Sequence, residues 1–155
     1  MQEANRMPTA KDIMASSVIT VRPGASIFEA IRILLGKRIS GMPVVDEDGF
    51  VVGMLSELDC LRVMSSDEFY AGHQEMNGQV RDFMTPAGQT IKPDMDVYAI
   101  AHYFLTNPVR RLPVVDSGRL VGQVSRRDVL RVIESQAKKR AIQKHYPDYR
   151  EPSLR

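Results

Sequence analysis

Apolar positions from Val18 to Leu34 change period once. Val18-Ile19-Thr20-Val21 is a short β-branched run that stops at Pro23-Gly24, the pattern of a strand entering a turn. From there the apolar residues fall at Ile27, Ala30, Ile31 and Leu34, which is one face of a helix. Ser26-x-x-Glu29 sets a capping box at its start, and Gly36 with the polar pair Lys37-Arg38 closes it. Met42 to Val45 reads as a buried strand, Asp46-Glu47-Asp48-Gly49 as a turn, and Phe50 to Leu55 as the returning strand of a hairpin. Ser56 then caps a second helix running to about Met64.

The same order is written again. Thr90-Ile91-Lys92 leads to Pro93, and Val97, Ile100, Ala101 and Phe104 repeat the helical stripe until Pro108 stops it. Leu112 to Val115, the turn Asp116-Ser117-Gly118 and Leu120 to Val124 make a second hairpin, and Ser125 opens the last helix. Pro43-Val44-Val45-Asp46 matches Pro113-Val114-Val115-Asp116 at an offset of 70, and after one residue is lost in the turn Ser56 and Asp59 match Ser125 and Asp128 at 69. The pattern predicts a mixed α/β fold of two pseudo-symmetric repeats, each strand-helix-strand-strand-helix, packed around a shared cleft. Residues 8–64 form the first repeat, 65–79 a connector without periodicity, and 80–135 the second. Residues 136–155 form a basic C-terminal extension, helical through Lys144 until Pro147 breaks it.

Composition narrows the class. At 155 residues the chain bounds one domain or two small halves sharing a core. No apolar run approaches the roughly 18 residues of a membrane span, and no charged-then-apolar leader is evident. The lone Cys60 cannot form an internal disulfide, which fits a cytoplasmic protein. The net charge of +2 hides an asymmetry: without the six basic and two acidic residues from Gln136 onward, 15 basic face 17 acidic residues, a net of −2. The body is therefore no basic nucleic-acid surface, and only the tail could be one. His73, His102 and His145 share no metal-like spacing with Cys60 or with acidic pairs. No Ser/His/Asp order, phosphate loop or Gly-x-Gly-x-x-Gly occurs, so no catalytic residue, catalytic cofactor or metal ligand is expected, and the chain does not read as an enzyme.

The chemistry-bearing motif is a hairpin strand ending in Gly-x-x-Ser-x-x-Asp. It appears as Gly53-Met54-Leu55-Ser56-Glu57-Leu58-Asp59 and as Gly122-Gln123-Val124-Ser125-Arg126-Arg127-Asp128. A helix start offers unpaired N–H groups and a positive dipole end suited to phosphate, and the Ser hydroxyl can add a hydrogen bond. A carboxylate one turn along can accept both hydroxyls of a ribose. The combination fits a ribonucleotide. Ser-x-x-Asp is equally a capping box, and the two readings compete.

Asp-Ile-Met, a β-branched strand, an amphipathic helix, Gly-Met-Pro-Val-Val-Asp, a Gly turn, Val-Gly and Ser-x-x-Asp together resemble a CBS domain. The second copy carries Asp-Phe-Met-Thr, Arg-Leu-Pro-Val-Val-Asp, Leu-Val-Gly and Ser-x-x-Asp in the same order. The resemblance covers roughly residues 8–135. It implies a stand-alone regulatory pair that binds an adenosine ligand (AMP, ADP, ATP, NAD or S-adenosylmethionine) in the inter-repeat cleft. It further implies a homodimer formed through helical faces and an output through an unidentified protein partner, with no membrane role. Carried over, Asp59 and Asp128 hold ribose and Ser56 and Ser125 phosphate. Ile39, Gly41 and Pro43, with Val109, Arg111 and Pro113, fall on or beside the segment lining the adenine pocket, while Val18 and Gly88 lie at the strand edge contacting the base.

The copies differ at Glu57-Leu58 against Arg126-Arg127 and at Ser40-Gly41 against Arg110-Arg111. The second site is thus expected to gather up to four guanidiniums for a phosphate, while Glu57 repels phosphate in the first. The competing function is a nucleic-acid-associated dimer that binds through its basic tail; the acidic body and the lack of aromatic residues among the basic ones before Tyr146 argue against it.

Overall fold

Both hairpins form where the two β-branched runs meet a turn. A computed structural model describes residues 6–65 and 78–143. In the first repeat, α2 (Ile27–Lys37) precedes β1 (Gly41–Val45) and β2 (Val51–Ser56), followed by α3 (Glu57–Leu61) and a 3-10 turn at Arg62–Ser65. In the second, α5 (Val97–Thr106) precedes β4 (Arg111–Asp116), β5 (Arg119–Ser125) and the long α6 (Arg126–Gln143). The lost residue is visible in the turns. Ser117 and Gly118 both take positive φ, 52° and 82°, in a tight two-residue turn, whereas the first hairpin needs the longer Asp46–Phe50 loop, with Gly49 at +88°. Pro108 acts as expected, leaving Asn107 extended after the last helical residue of α5.

Several expectations need correction. The first strand of each repeat shrinks to one residue: Val21 bridges Val44 and Ile91 bridges Val114, both parallel. The cause is Pro43 and Pro113. Val21 donates to the Pro43 carbonyl and accepts from Val45, but the next rung upstream would need an N–H at Pro43, and proline has none. Ser26 caps α2 through the Phe28 amide at 3.2 Å rather than through a reciprocal box with Glu29. The helix expected to reach Met64 is α-helical only to Leu61. Most of the expected connector, 66–77, and the tail from Lys144 lie outside the described residues.

Two short helices, α1 (Ala10–Ile13) and α4 (Val80–Phe83), were not legible as helices. Each opens with a reciprocal cap, Thr9 with Asp12 and Gln79 with Asp82. These segments cross over. Val80, Phe83 and Met84 pack in the core of Ile27, Leu34, Met42 and Leu55, while Ala10, Ile13 and Met14 pack in that of Ile100, Leu112 and Val124. The strand β3 (Thr85–Pro86) pairs with β2 of the first repeat. Ala15 correspondingly exchanges two 2.9 Å hydrogen bonds with Gln123 on β5. Each repeat therefore completes the other's sheet and core, so neither packs as an independent unit.

Candidate functional site

In both copies the Ser-x-x-Asp turn is a closed capping box. Asp59 Oδ2 accepts from the Ser56 amide at 2.9 Å, and Ser56 Oγ accepts from the Asp59 amide at 3.1 Å. In the second copy Asp128 Oδ2 accepts from the Ser125 amide at 2.8 Å, and the Asp128 amide donates back to Ser125 Oγ at 3.3 Å. The structural role of the motif is thus present, and it leaves one carboxylate oxygen, Oδ1, on each aspartate outside the cap.

What surrounds that oxygen differs. Asp59 is the one buried charged residue among those described, at 5% exposure, and its Oδ1 has Thr85 Oγ1 at 3.4 Å and Arg62 at 3.7 Å. Position 15, the counterpart of Thr85, is alanine, so Asp128 Oδ1 has no such hydroxyl and instead meets Arg131 at 2.8 Å. Asp128 also lines a groove of about 290 Å³ with Pro8, Ile13 and Arg131. The second aspartate is therefore the more open of the two.

The glycine of each motif marks where the exchanged segment passes. A Cβ on Gly53 would lie 2.6 Å from Met84 Sδ and 2.8 Å from the Thr85 carbonyl; on Gly122 it would collide with Met14 and stand 3.0 Å from the Ala15 carbonyl. Pro43 and Pro113 are fully buried strand residues whose carbonyls serve Val21 and Ile91. Gly41 is buried, Val18, Ile39 and Val109 are half-buried, and Gly88 is exposed. Cys60 is buried, and burial, with Asp59 and Glu57 nearby, pushes its thiol pKa up.

The arginines do not gather as the sequence suggests. Arg111 turns to the first repeat, donating to the Gly41 carbonyl and to Ser40 Oγ, both at 2.8 Å. Burial, with Arg110 nearby, pushes its pKa down, while Glu57 opposes the shift. Arg126 stays in its own repeat, its Nε donating to the Val109 carbonyl at 3.0 Å, and Arg127 is exposed. Sequence reasoning missed Gln123. It lies two residues before Ser125, on the same face of β5, and its Oε1 is buried without a hydrogen-bond partner among the described residues. Its counterpart is Met54, so the asymmetry between the repeats was the available signal.

The described geometry defines a paired α/β module, and the family model for the CBS domain matches residues 10–66 and 80–135. The chain belongs to the CBS domain family. It is 34% identical over 134 residues to the chloroplastic CBS domain-containing protein CBSX1 of Arabidopsis thaliana, covering 72% of this chain and 57% of that protein. Among solved structures it resembles CBSX2 of the same plant in complex with AMP, at a TM-score of 0.73 and 28% identity, covering 84% of this chain and 98% of the other. The CBS domain pair of MJ0100, in complex with 5-methylthioadenosine and S-adenosyl-L-methionine, aligns at a TM-score of 0.69 and 27% identity, covering 84% and 99%. The chain spans about half the length of the curated relatives it matches. Among the described residues no helix is long and apolar enough to cross a membrane.

Proposed function

We propose that this chain is a non-catalytic regulatory module that binds an adenosine-containing ligand between its repeats. The observation that carries the reading is the repeated cap itself: each Ser-x-x-Asp turn holds a carboxylate at a helix start and leaves its Oδ1 outside the cap. A ribose diol needs such an acceptor, and Ser56 and Ser125 stand one turn away for a phosphate. The AMP carried by CBSX2 supports the same class of ligand. A thermal-shift panel of AMP, ADP, ATP, NAD and S-adenosylmethionine tests it, because a ligand selective for the native state raises the melting temperature. A panel in which no adenosine compound shifts the transition contradicts the reading.

Arg126 and Arg127, with Arg110, remain as the charge of the second site. The double substitution R126A/R127A is expected to weaken ATP more than adenosine, by a difference that shrinks as salt rises and screens exposed charge. Calorimetry with both ligands at two salt concentrations checks this. Equal losses for the two ligands would contradict it.

Signalling needs a second surface, and apolar helix faces supply one. Leu58 and Leu61 on α3 and Tyr98, Leu105, Leu130 and Ile133 on α5 and α6 are each more than half exposed. A groove of about 500 Å³ lined by Val97, Tyr98, Ala101, Val132 and Ile133 runs between α5 and α6. Self-association through these faces is the expected use, since contiguous apolar surface of this kind is uncommon on a monomer. Light scattering is expected to give at least twice the 17.5 kDa chain mass at micromolar concentration, and a mass of one chain contradicts it.

A further inference from the structure

The groove of about 290 Å³ beside Asp128 continues past the proposed ribose acceptor, along α6 to Arg131, Ser135 and Lys139, with Pro8 and Ile13 of the exchanged first segment also lining it. Spacings of 3, 4 and 4 residues set the four α6 side chains on one face. Helical side chains tilt toward the N-terminus, so Arg131, Ser135 and Lys139 lean back toward Asp128. The two cations are available to a ligand. Arg131 pairs at 2.8 Å with Asp128 Oδ1, the same oxygen that the cap leaves out. A ribose hydroxyl that takes Oδ1 therefore releases the guanidinium at the head of the groove. No carboxylate of the described residues forms an ion pair with Lys139; Glu134, on the same helix, is engaged by Lys138 at 3.0 Å. The first repeat differs. Its α3 ends at Leu61, and at the offset of 69 the sequence has Tyr70 where the second repeat has Lys139.

We propose that this groove is a phosphate subsite on the 2′,3′ side of the ribose in the second site, so that the ligand class there is an adenosine nucleotide phosphorylated on a ribose 2′- or 3′-oxygen. The assignment rests on the nucleotide-site reading above and extends it. The ribose hydroxyl that stays free donates to Asp128 Oδ1. The esterified oxygen carries its phosphate to Arg131, whose planar donors suit it, and Ser135 and Lys139 follow along the groove. Phosphate and carboxylate then lie close together, and the guanidinium beside both offsets their repulsion.

The test is calorimetry on the full chain carrying D59N, which leaves the second ribose acceptor intact, with AMP, ADP and the 3′,5′- and 2′,5′-bisphosphates of adenosine. At least one bisphosphate is expected to bind about tenfold tighter than AMP, by an advantage that shrinks as salt rises. R131Q/K139Q is expected to abolish that advantage and to leave the ratio of ADP to AMP affinity unchanged, because both ADP phosphates lie at the 5′ end. Bisphosphates that bind no tighter than AMP overturn the subsite and leave nucleotide binding intact. An advantage that survives the double substitution, or an equal loss for ADP, places the two cations outside a 2′,3′ subsite and overturns it as well. If neither AMP nor a bisphosphate binds the parent chain or its D59N form, the nucleotide reading fails and this assignment with it.

Discussion

Replacing Gly122 with valine is expected to destabilise the chain by about 2–4 kcal/mol, because any Cβ there meets Met14 and the Ala15 carbonyl. A methionine tail can swing aside, but the carbonyl at 3.0 Å is backbone and is held by its exchange of hydrogen bonds with Gln123. The valine must push the first segment off β5, opening the core in which Ala10 and Met14 pack. For a chain of this size that corresponds to a fall of roughly 4–16 °C in melting temperature. Gly36 supplies the control, since nothing lies within 4 Å of a Cβ there and the residue is in the interior of α2. Gly36→Ala is expected to leave stability unchanged or raise it by about 0.5–1 kcal/mol. Thermal unfolding followed by circular dichroism checks both; a Gly122→Val protein that melts with the parent would refute the exchanged-segment account.

The second large effect falls on binding. Asp128→Ala is expected to weaken an adenosine nucleotide by about tenfold to a hundredfold, the loss of a charged hydrogen bond of about 1.5–3 kcal/mol. Arg131 is no obstacle to the ligand. Its side chain is 70% exposed, and an exposed ion pair is worth only about 0–1 kcal/mol, so a ribose hydroxyl can displace it from Oδ1 at little cost. Alanine also removes the reciprocal half of the α6 capping box, the bond from the Ser125 amide, at a cost of about 0.5–1.5 kcal/mol of stability, while Ser125 Oγ can still accept from the amide of residue 128. Asp128→Asn separates the two effects, because an amide oxygen can still accept from the Ser125 amide while the second carboxylate oxygen is gone. Loss of affinity in both variants with stability kept in the asparagine one is the expected pattern. Unchanged affinity in both would mean that Ser125-x-x-Asp128 is a cap and nothing more.

The parts of the fold set by local pattern were legible. The α2 and α5 stripes, both hairpins and the caps at Ser56 and Ser125 follow from periodicity, turn residues and short-range hydrogen bonding, all of which act within a few residues. Where the reading failed, a distant group decided. The Val18–Val21 run has strand composition, but its partner strand carries Pro43 where the ladder needs a donor. The helices at Ala10–Ile13 and Val80–Phe83 are four residues each, too short for a period to appear, and their placement in the opposite core is a tertiary fact. The site shows the same division. Ser56, Asp59, Ser125 and Asp128 stand where their spacing predicts, but the burial of Asp59 behind Thr85 and the turn of Arg111 toward Gly41 depend on residues 26 and 70 positions away. Charge counted along the sequence assigned Arg111 to its own repeat; the fold delivers it to the other.

Isothermal titration of AMP into the unmodified chain, repeated on the D59N/D128N protein, tests the central claim most directly. The account predicts saturable binding to the parent and loss of at least tenfold in affinity in the double variant, whose retained caps keep its unfolding transition near that of the parent. No heat of binding with the parent, or equal affinity in the two proteins, would contradict it.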